Sequence, residues 1–167
     1  SDLELMNVEK CRYLVLDLRN NRGGLIEPVR RISSMFLKEG KVIYQLKKNR
    51  SNEVISAEKD MLMFKGKMVI LVNESTGGSA EIIASALKDN NGTKILGTRT
   101  KGQGQMMATF NLSNLCKLAL CTGEIYSPAN KRISDGLIPD VTIPLSSEQV
   151  RTGKGSWWNY YVIPRSL

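Results

Sequence analysis

Residues 69–84 have the sequence Val-Ile-Leu-Val-Asn-Glu-Ser-Thr-Gly-Gly-Ser-Ala-Glu-Ile-Ile-Ala. The apolar start predicts a buried strand, and the adjacent glycines allow a tight turn. The apolar residues beyond the turn return at helical spacing, so a helix is predicted over about 79–89. A strand, a tight turn and a helix in this order are typical of α/β proteins, and many hydrolases place a nucleophilic serine on such a turn. Here Gly78 stands where that serine would be expected.

An earlier stretch of the chain has the same order of elements. The apolar run over 11–18 predicts a buried strand, the turn Asn20–Gly24 contains two glycines, and apolar spacing predicts a helix over 25–37. Pro28 lies in the first turn of this helix, where its missing N–H costs nothing, and Gly40 is expected to end it. Since both turns follow parallel strands, we expect them to lie side by side at the edge where α/β proteins bind ligands.

The rest of the chain predicts further strands and a separate tail. Strands are predicted over 41–46, 53–57, 68–72 and 94–97, an extended segment over 110–126, and a last strand that ends near residue 143. The tail over 146–167 contains Trp157-Trp158 and Tyr160-Tyr161 without clear periodicity, and it either packs on the domain or forms an interface. We therefore predict an α/β domain with parallel strands over 1–145 and an aromatic C-terminal tail over 146–167.

Composition limits the classes of partner. The 167 residues are enough for one domain with a real core. The net charge is +8, but the basic residues are dispersed and no nucleic-acid motif accompanies them, so we expect a solvated surface and no nucleic-acid partner. No apolar run approaches the length needed to cross a bilayer, so no membrane span is expected.

The chain contains no histidine and three cysteines without metal-site spacing, Cys11, Cys116 and Cys121. Within this chain, the absence of histidine excludes Ser-His-Asp and Cys-His mechanisms, and together with the cysteine spacing it argues against a zinc site of the usual kind. We expect no metal and no cofactor, and unpaired thiols in the core or at the surface. Cys116 and Cys121 should face opposite sides of a strand and not pair with each other.

The two glycine-rich turns suggest a binding feature. Exposed N–H groups at two helix starts can form a cradle for an oxyanion or a carboxylate. The alternative is that these glycines serve only to make tight turns.

Four motifs, in order along residues 8 to 145, resemble those of the tail-specific, or C-terminal processing, serine peptidases. They are Tyr-Leu-Val-Leu-Asp-Leu-Arg-Asn-Asn-Arg-Gly-Gly-Leu over 13–25, Val-Asn-Glu-Ser-Thr-Gly-Gly-Ser-Ala-Glu-Ile over 72–82, Ile-Leu-Gly-Thr-Arg-Thr-Lys-Gly-Gln-Gly over 95–104 and Gly-Leu-Ile-Pro-Asp-Val over 136–141. The resemblance implies a crotonase-like fold and cleavage of proteins near their C-termini by a Ser–Lys dyad, which needs no histidine. It also implies a partial domain, because the family's PDZ domain and first strands precede these motifs.

The resemblance places the family's nucleophilic serine on Gly78 and its general-base lysine on Gln103. It matches Glu81 to the acid that positions the dyad, although a carboxylate in the first turn of a helix can also serve only to stabilise that helix. Gly23 or Gly24, together with Ser79, match the oxyanion hole.

A displaced nucleophile or base is a further possibility. Ser75, Thr76 or Ser79 could replace the serine, and Lys101 could replace the lysine. A one-residue shift rotates a helical side chain by roughly 100°, so Ser79 is expected to point away from the cradle and to cap the helix.

Three functions therefore remain open. The chain is predicted to be an impaired peptidase-family domain that binds peptides or C-termini; the alternatives are an active serine endopeptidase with displaced residues and a structural subunit of an oligomer. The partners expected are a protein or peptide, a second copy of the chain, or the remainder of a longer protein. The resemblance implies an extracytoplasmic or organelle-lumen setting.

Overall fold

The computed structural model describes residues 11–38, 42–48, 51–112 and 116–144. In chain order these form β1 (Tyr13–Asp17), α1 (Glu27–Ser34), β2 (Val42–Lys48), β3 (Ser51–Ser56), β4 (Lys67–Val72), α2 (Ser79–Asn91), β5 (Lys94–Gly97), β6 (Gln105–Asn111), β7 (Lys117–Tyr126), a 3-10 helix (Ile133–Asp135) and β8 (Val141–Thr142). The predicted tail over 146–167 lies outside the described residues, so its packing stays a prediction.

The first sheet is entirely parallel and has the strand order β1-β4-β5-β8. Leu16 lies opposite Ile70, and Ile70 lies opposite Ile95, so these three residues share one face of the sheet. Ile70 and Ile95 are fully buried. This is the α/β architecture that the repeated strand–turn–helix pattern predicts.

The second sheet is antiparallel and has the order β3-β2-β7-β6. Strands β2 and β3 correspond to the strands predicted over 41–46 and 53–57 and pair with each other. The extended segment predicted over 110–126 includes the last two residues of β6 and all of β7, and β6 and β7 also pair with each other. Strand β6 begins directly after Gly102–Gly104, so this sheet starts beside the loop that contains Gln103.

Helix α2 lies at the centre of the core. Every residue from Ala80 to Leu87 is buried, and the helix contacts α1, β2 and β5. A helix that is buried all round needs small or apolar residues on every face, and residues 82–87, Ile-Ile-Ala-Ser-Ala-Leu, meet that need. Gly92 ends the helix with a left-handed backbone (φ +67°).

The prediction that β1 is buried was wrong for one of its faces. Tyr13 is 73% exposed and Val15 is 59% exposed, whereas Leu14 and Leu16 pack against the core. Strand β1 is the outer strand of its sheet, and no element of the described part of the chain covers this face. A continuous apolar run indicates that a strand is apolar on both faces, as in parallel sheets that are covered on both sides. It does not show whether another element covers each face.

Two elements are shorter than predicted. Helix α1 ends at Ser34 rather than at residue 37, because the chain turns there: the N–H groups of Met35 and Phe36 bond three residues back, and the carbonyl of Met35 accepts from Met63 (2.8 Å). Gly40, the predicted stop, lies outside the described residues. The last strand, predicted to end near residue 143, contains only Val141 and Thr142.

The cysteines are free and exposed, as expected for unpaired surface thiols. Among the helices described, none combines the length and apolar character needed to cross a membrane.

Candidate active site

The two glycine-rich turns lie side by side, as predicted from the parallel strands. Strand β1 runs beside β4, and the N–H of Gly77 donates to the carbonyl of Asn21 (2.9 Å). Asn73 also joins the turns: its Oδ1 accepts from the N–H of Asn20 (2.9 Å), and its Nδ2 donates to Oδ1 of Asn20 (2.9 Å). The contacts of Asn20 and Asn73 could not be inferred from their local sequence.

The backbone at Gly78 is the most unusual part of the site. Its φ of +56° and ψ of −125° lie in a region that side-chain-bearing residues rarely adopt. A β-carbon at this position would lie 3.6 Å from the carbonyl oxygen of Arg22, which is ordinary contact. A residue with a side chain therefore fits the space, at a backbone cost on the order of 1–3 kcal/mol. Nucleophile turns in hydrolases carry strain of this kind.

Gly23 allows the two turns to approach each other. A β-carbon there would lie 2.5 Å from the carbonyl oxygen of Gly77 and 2.7 Å from the amide nitrogen of Ser79, and its φ is +80°. Both the contact and the backbone angle require glycine.

Glu81 is a fully buried carboxylate that joins three segments. Its Oε2 accepts from the N–H groups of Gly78 (2.9 Å) and Gln103 (2.7 Å), and its Oε1 accepts from the N–H of Gly102 (2.7 Å) and from the hydroxyl of Thr100. These four donors satisfy a carboxylate that only accepts. Glu81 thus holds the loop containing Gln103 against the turn containing Gly78, which is more than a stabilising charge in the first turn of a helix.

Thr100 was missed in the sequence interpretation. Its hydroxyl donates to Glu81 and accepts from the N–H of Leu137 (2.7 Å), and its own N–H donates to the carbonyl of Leu137 (3.1 Å). The 136–141 motif therefore anchors the loop that contains Gln103. The local sequence around Thr100 does not predict these bonds, because the partners Glu81 and Leu137 are distant in sequence.

The side chain of Gln103 lies beside the Gly77–Gly78 pair. A β-carbon on Gly77 would overlap Oε1 of Gln103, so the absence of a side chain at Gly77 leaves room for this amide. The structure thus brings together Gly78, Gln103 and Glu81, which the motifs had selected from separate parts of the sequence.

The sequence of this chain matches a known family of proteases. The model of peptidase family S41 matches residues 2–143. The chain belongs to peptidase family S41. A probable CtpA-like serine protease of Staphylococcus aureus is 35% identical over 135 residues, which cover 79% of this chain and 27% of that protein. The corresponding Staphylococcus epidermidis protein is 31% identical over 140 residues, covering 79% and 28%.

The solved structures agree with this assignment. The photosystem II D1 C-terminal processing protease has a TM-score of 0.76 and 30% identity, over 85% of this chain and 37% of that one. The chain spans about a quarter of the length of the curated relatives it matches.

The resemblance matches three N–H groups to the family's oxyanion hole, and two of them already have acceptors in this chain. The N–H of Gly23 donates to Oδ1 of Asn21 (2.9 Å), and the N–H of Gly24 donates to Oγ of Ser79 (2.8 Å). Within the described residues, the N–H of Ser79 has no acceptor. We call these three N–H groups, of Gly23, Gly24 and Ser79, the amide cradle.

The expected orientation of Ser79 was wrong. Its hydroxyl does not cap helix α2; it reaches across to Gly24 in the opposite turn. The rotation of roughly 100° per residue was a sound expectation for the helix alone. That expectation did not consider the Asn20–Gly24 turn, in which the N–H of Gly24 lies within reach of the Ser79 hydroxyl.

The other displaced candidates are arranged differently. The hydroxyl of Thr76 is buried and donates to the carbonyl of Leu18 (2.8 Å), so it is committed to the fold. Ser75 is half-buried, with its N–H on Oδ1 of Asn73 (3.2 Å). Lys101 is exposed, and its N–H donates to the carbonyl of Thr76 (2.9 Å). Among the described residues, no group of three side chains is placed to hold a metal ion.

Proposed function

We propose that this S41 domain binds extended peptides or protein C-termini and cleaves them poorly or not at all. The observation on which this rests is the pair of residues at the dyad positions, Gly78 and Gln103. Glycine has no side chain to attack a carbonyl, and a carboxamide does not accept the proton of a serine. Losing a catalytic nucleophile or base costs about a millionfold in turnover.

The retained scaffold supports a binding role. Glu81 is fully bonded, so the loop containing Gln103 and the Ser75–Ser79 turn keep a defined relative position without the dyad. Strand β6 begins two residues after Gln103 and, in the described part of the chain, pairs only with β7. An extended peptide can therefore add to the free edge of β6 while its terminal carboxylate approaches the amide cradle.

An active endopeptidase with displaced residues is the second candidate, and the position of Ser79 favours it most. Its hydroxyl lies in the amide cradle, where it accepts from the N–H of Gly24 (2.8 Å). The candidate lacks a base held in the site, because the side chain of Lys101 is exposed.

A structural role in an oligomer is the third candidate. The exposed apolar face of β1, formed by Tyr13 and Val15, favours it, since large exposed apolar surfaces usually mark an interface. The remainder of a longer protein could cover the same face. An extracytoplasmic setting stays a prediction from the family.

The test is cleavage of a mixture of unstructured peptides, followed by mass spectrometry. The natural chain is compared with Gly78→Ser/Gln103→Lys and with Gly78→Ala/Gln103→Lys, which has the same lysine and a β-carbon but no hydroxyl. We expect only the serine variant to cut. Peptide-dependent thermal stabilisation of the natural chain is measured in parallel, because a ligand that binds only the folded state raises its stability.

The outcomes separate the three candidates. Cleavage by the natural chain would overturn the binding proposal, and loss of that activity in Ser79→Ala would identify the displaced nucleophile. If the natural chain cleaves no peptide and is stabilised by none, the structural role is the remaining candidate. If the serine variant is inactive but peptides stabilise the natural chain, the scaffold binds but lacks parts needed for catalysis.

A further inference from the structure

We infer that Ser79 is a specificity-determining residue of the amide cradle: its side chain occupies the cradle, and an incoming carboxylate must displace it. This inference rests on the proposed binding function, and it names the residue that sets the affinity of the cradle for a carboxylate. The observation is the 2.8 Å hydrogen bond from the N–H of Gly24 to Oγ of Ser79, which joins two turns 55 residues apart.

Of the two acceptors in the cradle, Oδ1 of Asn21 and Oγ of Ser79, the geometry allows Oγ of Ser79 to be displaced. The N–H of Gly23 is held by Oδ1 of Asn21 within the same turn, two residues away, so opening it would disturb the turn itself. The hydroxyl of Ser79 is on a single side-chain torsion at the start of α2, and its rotation leaves both backbones in place. Displacement of Ser79 therefore frees the N–H of Gly24 beside the N–H of Ser79.

The chemistry predicts which ligands can displace it. A hydroxyl is a neutral acceptor, whereas a carboxylate forms charge-assisted hydrogen bonds that are about twice as strong. The N-terminal end of α2 adds a favourable potential for a negative charge. A free carboxylate can therefore compete with Ser79 for the N–H of Gly24, and a carboxamide should compete poorly.

The energetic consequence is a lower affinity for carboxylates than the same cradle would have without the hydroxyl. A carboxylate that binds the natural chain must break the hydrogen bond between Gly24 and Ser79 before it can accept from the N–H of Gly24. In Ser79→Ala the same N–H has no acceptor in the protein, so no bond has to be broken. The net value of one hydrogen bond corresponds to about threefold to tenfold in affinity.

The first measurement is hydrogen exchange of backbone amides by NMR on the full chain without ligand. Ser79→Ala should raise the exchange rate of the Gly24 amide about threefold to tenfold and leave the Gly23 amide, bonded to Asn21, unchanged. Ser85→Ala is the matched control, since Ser85 is on the same helix and bonds to the carbonyl of Ile82 (2.9 Å), away from the cradle. An unchanged Gly24 exchange rate in Ser79→Ala would overturn the inference.

The second measurement is titration with sodium acetate, and with acetamide as the neutral counterpart, following the amide signals of Gly24 and Ser79. We expect acetate to bind Ser79→Ala about threefold to tenfold more tightly than the natural chain or Ser85→Ala. Equal acetate affinities in all three proteins would overturn the role of Ser79 but leave the carboxylate cradle standing. Absence of acetate binding in all three would overturn both the inference and the carboxylate part of the proposed function. Binding of C-terminally amidated peptides would then test strand addition at β6 separately.

Discussion

Two carboxylates each join several segments of this domain, and their surroundings differ. Glu81 is fully buried and accepts from four uncharged donors, whereas Asp140 is partly exposed and lies between two lysines. Asp140 accepts from the N–H of Ile95 (2.9 Å) and pairs with Lys88 (3.2 Å) and Lys94 (3.7 Å), so it fastens the segment directly before β8 to β5 and α2. Glu81 holds the site together, and Asp140 holds the outer strand.

The difference shows how a site can keep its shape when the side chains at its functional positions change. A carboxylate satisfied by backbone N–H groups depends on the path of the backbone, not on the side chains at those positions. Gly78 and Gln103 each donate to Glu81 through the backbone, and any residue other than proline would do the same. The arrangement can therefore persist whether or not a serine and a lysine are present.

The largest expected effect is that of Glu81→Gln. The amide would present two hydrogens to a pocket that contains only donors, which leaves buried donors unsatisfied. We expect the free energy of unfolding to fall by on the order of 3 kcal/mol. Urea denaturation measures it, and a loss under 1 kcal/mol would mean that the four bonds to Glu81 are not the main support of the site.

Thr100→Val should have the next largest effect. Valine has nearly the same shape, but it removes the hydroxyl that donates to Glu81 and accepts from Leu137. We expect a loss of about 1–2 kcal/mol in the free energy of unfolding. Thr98→Val is the control, because the hydroxyl of Thr98 bonds only to the exposed residue Glu74 in the described structure (2.9 Å). Equal losses in the two variants would contradict the importance of Thr100.

Asp140→Asn should have the smallest effect, and it should depend on pH. Partial burial alone would raise the pKa of Asp140, but the N–H of Ile95, Lys88 and Lys94 together hold the pKa below its ordinary value. A lowered folded-state pKa adds stability above the unfolded pKa of about 3.9, and this stability is lost as the pH falls through the folded-state pKa.

Replacing Asp140 by asparagine should therefore reduce stability near neutral pH and flatten its dependence below about pH 4. Thermal denaturation at several pH values checks this, with added salt to screen the two lysines. The same pH profile in the natural chain and the variant would show that Asp140 makes no pH-dependent contribution.

The parts of the fold that local pattern could predict are those defined by a single segment. The apolar run before Asn73 predicted β4, the helical spacing after Gly78 predicted α2, and the order of strands and helices predicted the parallel sheet. The predicted burial of both faces of β1 failed, because burial depends on what lies against a strand. The shorter α1 has a similar cause, since the carbonyl of Met35 is used by the distant residue Met63.

The candidate site divides in the same way. The resemblance of the four motifs made Gly78, Gln103, Glu81 and the glycines of the cradle candidates, and the residue types alone exclude a Ser–Lys dyad at the matched positions. Only the tertiary structure could decide that Ser79 faces Gly24 and that Thr100 joins Glu81 to Leu137. Residue identity determines which chemistry is available, whereas hydrogen bonds between residues distant in sequence depend on how the backbone brings those residues together.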